Sequence, residues 1–218
     1  MSKSSTPVDG ALFEFIAGAT IPEDDLLREL RTAAAREGLP EIHIAPEQAA
    51  FLQLLLAATK ARTVVEVGTL GGYSAIAMAR GLPAAGRVIT HELEPRHAEF
   101  AAQWIARSDQ KGKIEVRVGD AKATLKAHAP GSADAMFLDA DKDGYVHYLG
   151  EAMRILRPGG VLLADNVLAD GEVADAKAAS PTAQAIRRFL AAARATASLR
   201  SVIVPLGDGC LFGVKQWP

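Results

Sequence analysis

Five short apolar runs between residues 63 and 166 each end at or near an acidic side chain. Val64-Val65 leads to Glu66, Val88-Ile89 to Glu92, Ile114 to Val118 to Asp120, Met136-Phe137-Leu138 to Asp139, and Val161-Leu162-Leu163 to Asp165 with Asn166 beside it. A carboxylate has no packing reason to end a core strand, because burying a charge without a partner is costly. In an open α/β sheet, however, the carboxyl ends of parallel strands line the ligand crevice. The rhythm therefore predicts a row of acidic groups along one edge of a sheet, in a site that handles hydroxyls, cations or both.

The segments between the runs fit such a sheet. Strands are expected near 63–67, 87–91, 114–118, 135–139 and 160–165, with helices near 73–81, 95–107, 121–128 and 145–156. This alternation means a mostly parallel sheet with helices on both faces. Pro158-Gly159-Gly160 reads as the turn before the fifth strand. Ahead of the first strand, helices are expected at 11–19, at 22–38 with Pro22 at a first helical position, and from Pro46 onward. The tail differs. After a helix at 181–195, Ser201 to Val204 and Cys210 to Val214 flank Pro205-Leu206-Gly207-Asp208-Gly209, the pattern of a hairpin. One of its strands must run antiparallel to its partner, unlike a purely parallel dinucleotide-binding fold. The polar residues 1–10 read as disordered. Residues 11–218 read as one domain, with 11–60 a helical cap and 61–218 the α/β core.

A chain of 218 residues with 49% hydrophobic content can bury one sizeable core. A net charge of -2, with Lys and Arg spread throughout, argues against a large nucleic-acid footprint and leaves room only for a small basic patch. Cys210, the one cysteine, has no internal partner for a disulfide, which points to a reducing cytoplasm. No segment approaches the ~20 apolar residues needed to span a bilayer.

The stretch Glu66-Val67-Gly68-Thr69-Leu70-Gly71-Gly72-Tyr73-Ser74 is strand, glycine loop and helix start. It lacks the Gly-Lys-Ser/Thr of a P-loop and the G-x-G-x-x-G spacing of a dinucleotide site. Alone it is equally a tight turn with no ligand. Glu92 tips the balance, because an acid ending the second strand can accept hydrogen bonds from ribose hydroxyls. A ribose acceptor without a phosphate cradle points to a nucleoside cofactor without phosphates, and S-adenosylmethionine fits that description.

The glycine run resembles the cofactor loop of class I methyltransferases, and its Gly-Tyr-Ser ending resembles the cation-dependent small-molecule O-methyltransferases, the caffeoyl-CoA and catechol O-methyltransferase group. Phe137 to Tyr145, Leu156 to Gly160, Asp165 to Leu168 and Pro205 to Gly209 match that family in order, from about residue 42 to 214. The resemblance implies a Rossmann-like methyltransferase fold: a seven-stranded, mostly parallel sheet with an antiparallel C-terminal strand and extra N-terminal helices. It also assigns roles. Glu66, the Gly68-Thr69 backbone and Ser74 would line the methionine part of S-adenosylmethionine, Glu92 would hold the ribose, and Asp120 and Ala121 would flank the adenine. Asp139, Asp165 and Asn166 would ligate a cation. Their hard oxygens suit Mg²⁺, Mn²⁺ or Ca²⁺ rather than zinc. Asp139 would also border cofactor and reacting groups. Lys142 would be the general base, its charged form disfavoured by the neighbouring cation. The acceptor implied is a small phenol with two neighbouring hydroxyls, and the assembly a homodimer.

Some residues depart from the family pattern. Ala169 stands where many relatives carry tryptophan, which suggests a differently shaped acceptor pocket. Ala49-Ala50 replace a Gly-Gln pair. His43 lies in a segment that borders cofactor and acceptor in relatives, although a partly exposed loop histidine is the simpler reading. Tyr145 reads as packing. Competing functions are O-methylation of a hydroxylated tRNA uridine, which the near-neutral charge disfavours, and cofactor binding without catalysis, against which Asp139, Lys142, Asp165 and Asn166 argue.

Overall fold

The computed structural model describes residues 6–217. Much of the stretch expected to be disordered, residues 1–5, lies outside the described residues; the chain is already helical at Gly10, where Asp9 accepts the Leu12 N–H at 2.9 Å and caps α1 (Gly10–Ala19). The expected start of the second helix at Pro22 is corrected. Asp24 accepts the Leu27 N–H at 2.9 Å, so α2 runs Asp25–Arg36 and Pro22 lies ahead of its cap. A capping carboxylate of this kind is worth about 1 kcal/mol, which is enough to set the boundary. α3 (Pro46–Ala58) does begin on its proline.

The core alternates as expected: β1 (Thr63–Val67), α4 (Tyr73–Arg80), β2 (Arg87–Glu92), α5 (Pro95–Arg107), β3 (Ile114–Val118), α6 (Ala121–Thr124), β4 (Ala133–Leu138), α7 (Tyr145–Ile155), β5 (Leu156–Ala164), α8 (Pro181–Ala195), β6 (Leu199–Val204) and β7 (Cys210–Lys215). The helix expected over 121–128 is a single α turn followed by a 3-10 turn at Leu125–Ala127. The seven strands lie in the order β3-β2-β1-β4-β5-β7-β6. β1 to β5 are parallel neighbours, and β7 pairs antiparallel with both β5 and β6.

Pro158-Gly159-Gly160 lies inside β5 rather than before it. Leu156 pairs with Ala133 and Val161 with Ala135, so the intervening residues bulge out opposite Asp134. Gly159 takes φ +75° there, and Arg157 donates Nε to Asp134 Oδ1 at 2.6 Å. The other Asp134 oxygen accepts the Arg62 and Thr63 N–H groups, both at 2.8 Å, which ties the bulge to the start of β1.

Side-chain alternation along the strands sorts the core onto two faces. Val64, Phe137 and Leu163 pack with α2, α3, α4 and α5 on one face, through Leu30, Leu52, Ile76 and Phe100. Val65, Met136, Leu138 and Leu162 pack with α7 and α8 on the other, through Tyr145, Ile186 and Phe189. After β1 the chain winds outward through β2 to β3, and β4 returns to β1's other side. That reversal opens a crevice at the carboxyl ends of β1 and β4, where an open α/β sheet binds its ligand.

Candidate active site

The crevice requires glycine at its centre. Gly68 sits at φ +101°, and a Cβ there would lie 1.9 Å from the carbonyl oxygen of Asp139. The end of β1 can thus approach the end of β4 only without a side chain. The loop that follows is held by Glu92. Its Oε2 accepts the N–H groups of Thr69 at 3.1 Å and Leu70 at 2.7 Å, and its Oε1 accepts that of Glu94 at 3.0 Å. An ionised carboxylate has about four acceptor positions, so three are used on the protein's own backbone and about one faces the cleft. Glu92 therefore shapes the glycine loop as well as lining the cavity.

Glu66 alternates onto the α4 face and is fully buried. Ser74, in the first turn of α4, donates to its Oε1 at 2.5 Å, while Oε2 has no partner. Burial is the largest influence on this carboxyl and raises its pKa to about 8, with the charges of Asp139 and Glu92 adding to the rise. Asp120 accepts the Lys122 N–H at 2.8 Å, capping α6 beside Ala121.

These residues border two adjoining spaces. A cleft of about 540 Å³ is lined by Gly68, Leu70, Glu92, Asp120, Ala121 and Asp139, among others. A pocket of about 40 Å³ continues past Gly68 to Thr69, Ser74 and His43. A third cavity, of about 610 Å³, lies on the far side and is lined by Ile42, Asp139, Lys142, Asn166, Ala169, Asp170, Glu172 and Asp208. Asp139 forms part of the wall of all three.

Around Asp139 the sequence-predicted polar groups converge. The Lys142 ammonium lies 3.6 Å from Asp139 Oδ1 and donates to Asn166 Oδ1 at 2.9 Å and to Tyr145 Oη at 2.7 Å. Burial raises the pKa of Asp139, against the lowering effect of Lys142. Burial and the Asp139 charge raise Asp165 to about 6. The Asp139 carboxylate and the Asn166 amide oxygen thus share one ammonium, while the Asp165 carboxylate takes its hydrogen bond from the neutral Gln48 amide, a set short of positive charge. Among the described residues no group of three or more His, Cys, Asp or Glu side chains gathers to hold a metal ion; here the third oxygen is an amide.

Two further side chains serve this centre: Gln48, which no motif singles out, and Tyr145, which the sequence reads as packing. Gln48, near the start of α3, donates its amide to Asp165 Oδ1. It is buried at the head of a stripe continued by Leu52 and Leu56, and a polar residue leading an apolar i, i+4, i+8 stripe was the available signal. Tyr145 is core, but it is not only packing: besides accepting from Lys142, its hydroxyl lies 3.1 Å from the carbonyls of both Leu138 and Asp165. His43 is half-buried and lines both the large outer cavity and the small pocket. Burial, aided by the Arg31 charge, lowers its pKa to about 4. His91 and His128 face each other through Nε2 atoms 2.9 Å apart, with Thr124 Oγ1 2.7 Å from His91 Nδ1, beneath the Asp120 turn.

A fold and site of this kind define a methyltransferase, and comparison with known proteins agrees. A family model described as O-methyltransferase matches residues 17–216, and the chain belongs to that family. It is 39% identical over 198 residues to a catechol O-methyltransferase of Niastella koreensis, covering 89% of this chain and 87% of the relative. It is 41% identical over 176 residues to a catechol O-methyltransferase of Mycobacterium tuberculosis, covering 78% and 80%. An O-methyltransferase from Bacillus cereus, solved in complex with SAH, superposes with a TM-score of 0.87 at 36% identity, covering 94% of this chain and 97% of that one.

Proposed function

We propose that this chain transfers the methyl group of S-adenosylmethionine to one hydroxyl of a small aromatic with two adjacent hydroxyls, assisted by a divalent cation. The observation that carries the proposal is the charge-deficient cluster of Asp139, Asp165, Asn166 and Lys142, placed where the 540 Å³ cleft meets the 610 Å³ cavity. The nucleoside fits the 540 Å³ cleft by its lining, with Asp120 and Ala121 at one end and the Glu92 carboxylate at the ribose. The unpartnered Glu66 oxygen suits the ammonium of the cofactor's methionine part, with Ser74 between it and the small pocket. The SAH bound by the Bacillus cereus relative and the acceptor class named for the Niastella and Mycobacterium relatives support the same reading.

The cluster fits a hard divalent cation through Asp139, Asp165 and Asn166, because two carboxylates with raised pKa values, Asp165 buried and Asp139 half-buried, call for more positive charge than one lysine provides. When bound, such a cation lowers the pKa of a coordinated hydroxyl and orients it. Engaging the Asp139 and Asn166 oxygens would remove two groups that favour the lysine's charged form. Tyr145 Oη would still aim Lys142 Nζ, which, once it has released a proton to solvent, takes the acceptor's hydroxyl proton as a neutral amine and becomes the ammonium again. As the phenolate oxygen forms its bond to the methyl carbon, the carbon–sulfur bond breaks and the sulfonium becomes a neutral thioether. Gln48 keeps one Asp165 oxygen in place throughout.

The test is methyl transfer from labelled cofactor to catechol, with wild-type protein and Lys142→Ala. Lys142→Ala should slow turnover by roughly 10²–10⁴-fold, the usual contribution of a general base, with SAH affinity near wild type. Chelator should abolish wild-type activity and Mg²⁺ restore it. Full activity in chelator would remove the cation from the proposal, and equal losses of turnover and SAH affinity would make Lys142 a structural residue. A second copy of the chain is the proposed partner. α1 buries none of its own residues, and Phe13, Phe15 and Ile21 stand exposed on the N-terminal segment, so light scattering should report twice the monomer mass.

A further inference from the structure

The outer wall of the 610 Å³ cavity is a kinked 3-10 segment, Ala169–Ala174, followed by loop. Ala169, Asp170, Glu172 and Ser180 reach the cavity from the segment between β5 and α8. Its first residues are tied to the β6–β7 loop, Val167 N–H to the Gly209 carbonyl and Leu168 N–H to the Asp208 carbonyl, both at 3.0 Å, but beyond Leu168 the backbone makes only local turns, such as Asp175 N–H to the Glu172 carbonyl at 3.1 Å and Ala178 N–H to the Asp175 carbonyl at 3.0 Å. Its near end is pinned where the Asp170 N–H meets Asp208 Oδ1 at 2.9 Å. The far end has no sheet to hold it.

One side chain does that instead. Arg187 on α8 donates to the carbonyls of Val173 at 3.3 Å, Ala178 at 2.7 Å and Glu172 at 2.7 Å, and also to that of Asp175. A guanidinium is a rigid, planar fork of five N–H donors, and here it is spent on four main-chain acceptors of one loop. α8 is a firm base for it, because Ile186 and Phe189 on either side are fully buried. Ser180, the α8 cap, also donates to the Glu172 carboxylate, so the clamp and the cap meet at a residue that faces the cavity.

We infer that Arg187 is a positioning residue for the methyl acceptor: by gathering the carbonyls of residues 172–178 it fixes the loop that closes the outer side of the acceptor cavity. This rests on the reading above that the cavity takes the acceptor. The clamp lies on the acceptor side only, since none of the four carbonyls belongs to a residue lining the cofactor cleft. Its loss should therefore separate the two substrates.

The test pairs amide hydrogen exchange over residues 169–180, measured without acceptor, with steady-state kinetics on catechol plus Mg²⁺ and calorimetry with SAH. Arg187→Met should speed exchange in the loop and raise the KM for catechol roughly tenfold, the scale of one charged hydrogen bond lost, while kcat stays within about threefold and SAH affinity within about twofold. Arg187→Lys should fall between, because an ammonium carries three donors on a flexible stem and cannot span the four carbonyls. It also serves if the Met variant folds poorly. Unchanged exchange in both variants would overturn the clamp. Faster exchange with an unchanged KM would overturn its role in positioning the acceptor, and an equal fall in SAH affinity would reduce Arg187 to general stability. Wild-type protein inactive on catechol would count against the acceptor class proposed above, while exchange would still decide the clamp.

Discussion

The two sides of Asp139 are built differently. On the cofactor side, strand ends and a short glycine loop carry the polar groups. Glu92 has three backbone N–H partners there, and Glu66 is buried against Ser74. On the side proposed for the acceptor, the wall beyond Asp139 and Asn166 is a kinked 3-10 segment and loop. Asn166, Ala169, Asp170 and Gly171 all take positive φ between 52° and 85° or, for Ala169, 47°. Non-glycine residues adopt that region at a cost of about 1–2 kcal/mol each. A ligand common to a whole enzyme class can be met by regular structure. A ligand that varies among relatives is met by loops, which change length and shape without disturbing the sheet.

The sharpest way to break this comparison is at Gly68. Gly68→Ala would drive Cβ into the Asp139 carbonyl and force alanine to φ +101°, so a loss of about 3 kcal/mol or more in stability is expected, with SAH binding falling alongside. Denaturant unfolding and calorimetry measure both. Near-normal SAH binding in this variant would show that the cofactor side is not rigid.

Glu66 gives a smaller, pH-dependent effect. Its carboxyl titrates near 8 when folded, against an ordinary 4.5. Between those values the folded protein keeps a proton that the unfolded chain has released, so ligand-free stability falls as pH rises through this window. Glu66→Gln removes that slope. The variant's Tm should match wild type near pH 5 and exceed it above pH 8, while its SAH affinity is weaker. Parallel Tm curves for the two proteins would place the carboxyl in a wetter setting than the fold shows.

The smallest expected effect is on the acceptor wall. Ala169→Gly removes a side chain held at φ +47° but adds freedom to the unfolded chain, so the net gain should be no more than about 1 kcal/mol. A loss of stability, read from Tm, would mean the wall is better packed than its dihedrals imply.

The sequence made the sheet and the row of acids legible because both are written in local pattern: apolar runs, glycine loops and the residues just after them. Boundaries set by one side-chain hydrogen bond were less legible, as with Asp24 displacing Pro22 from the start of α2. Pro158-Gly159-Gly160 has the composition of a turn, and only the pairing of Leu156 with Ala133 and Val161 with Ala135 on either side makes it a bulge. Gln48 and Tyr145 escaped because their roles depend on groups far away in the chain or on a hydroxyl hidden in the core. The Arg187 clamp depends on four carbonyls, and backbone acceptors leave no trace in composition.

The hydrogen bond from Gln48 to Asp165 joins residues 117 positions apart. In terms of folding rather than chemistry, it closes a long loop, and the entropy of that closure must be met before the contact repays it. The sheet can form through neighbouring strands, but the cluster at Asp165 is complete only when α3 is docked against it. The helical cap therefore supplies one of the hydrogen bonds that hold Asp165. A substitution that merely loosens α3 should cost activity in a protein whose strands and cofactor loop are still intact.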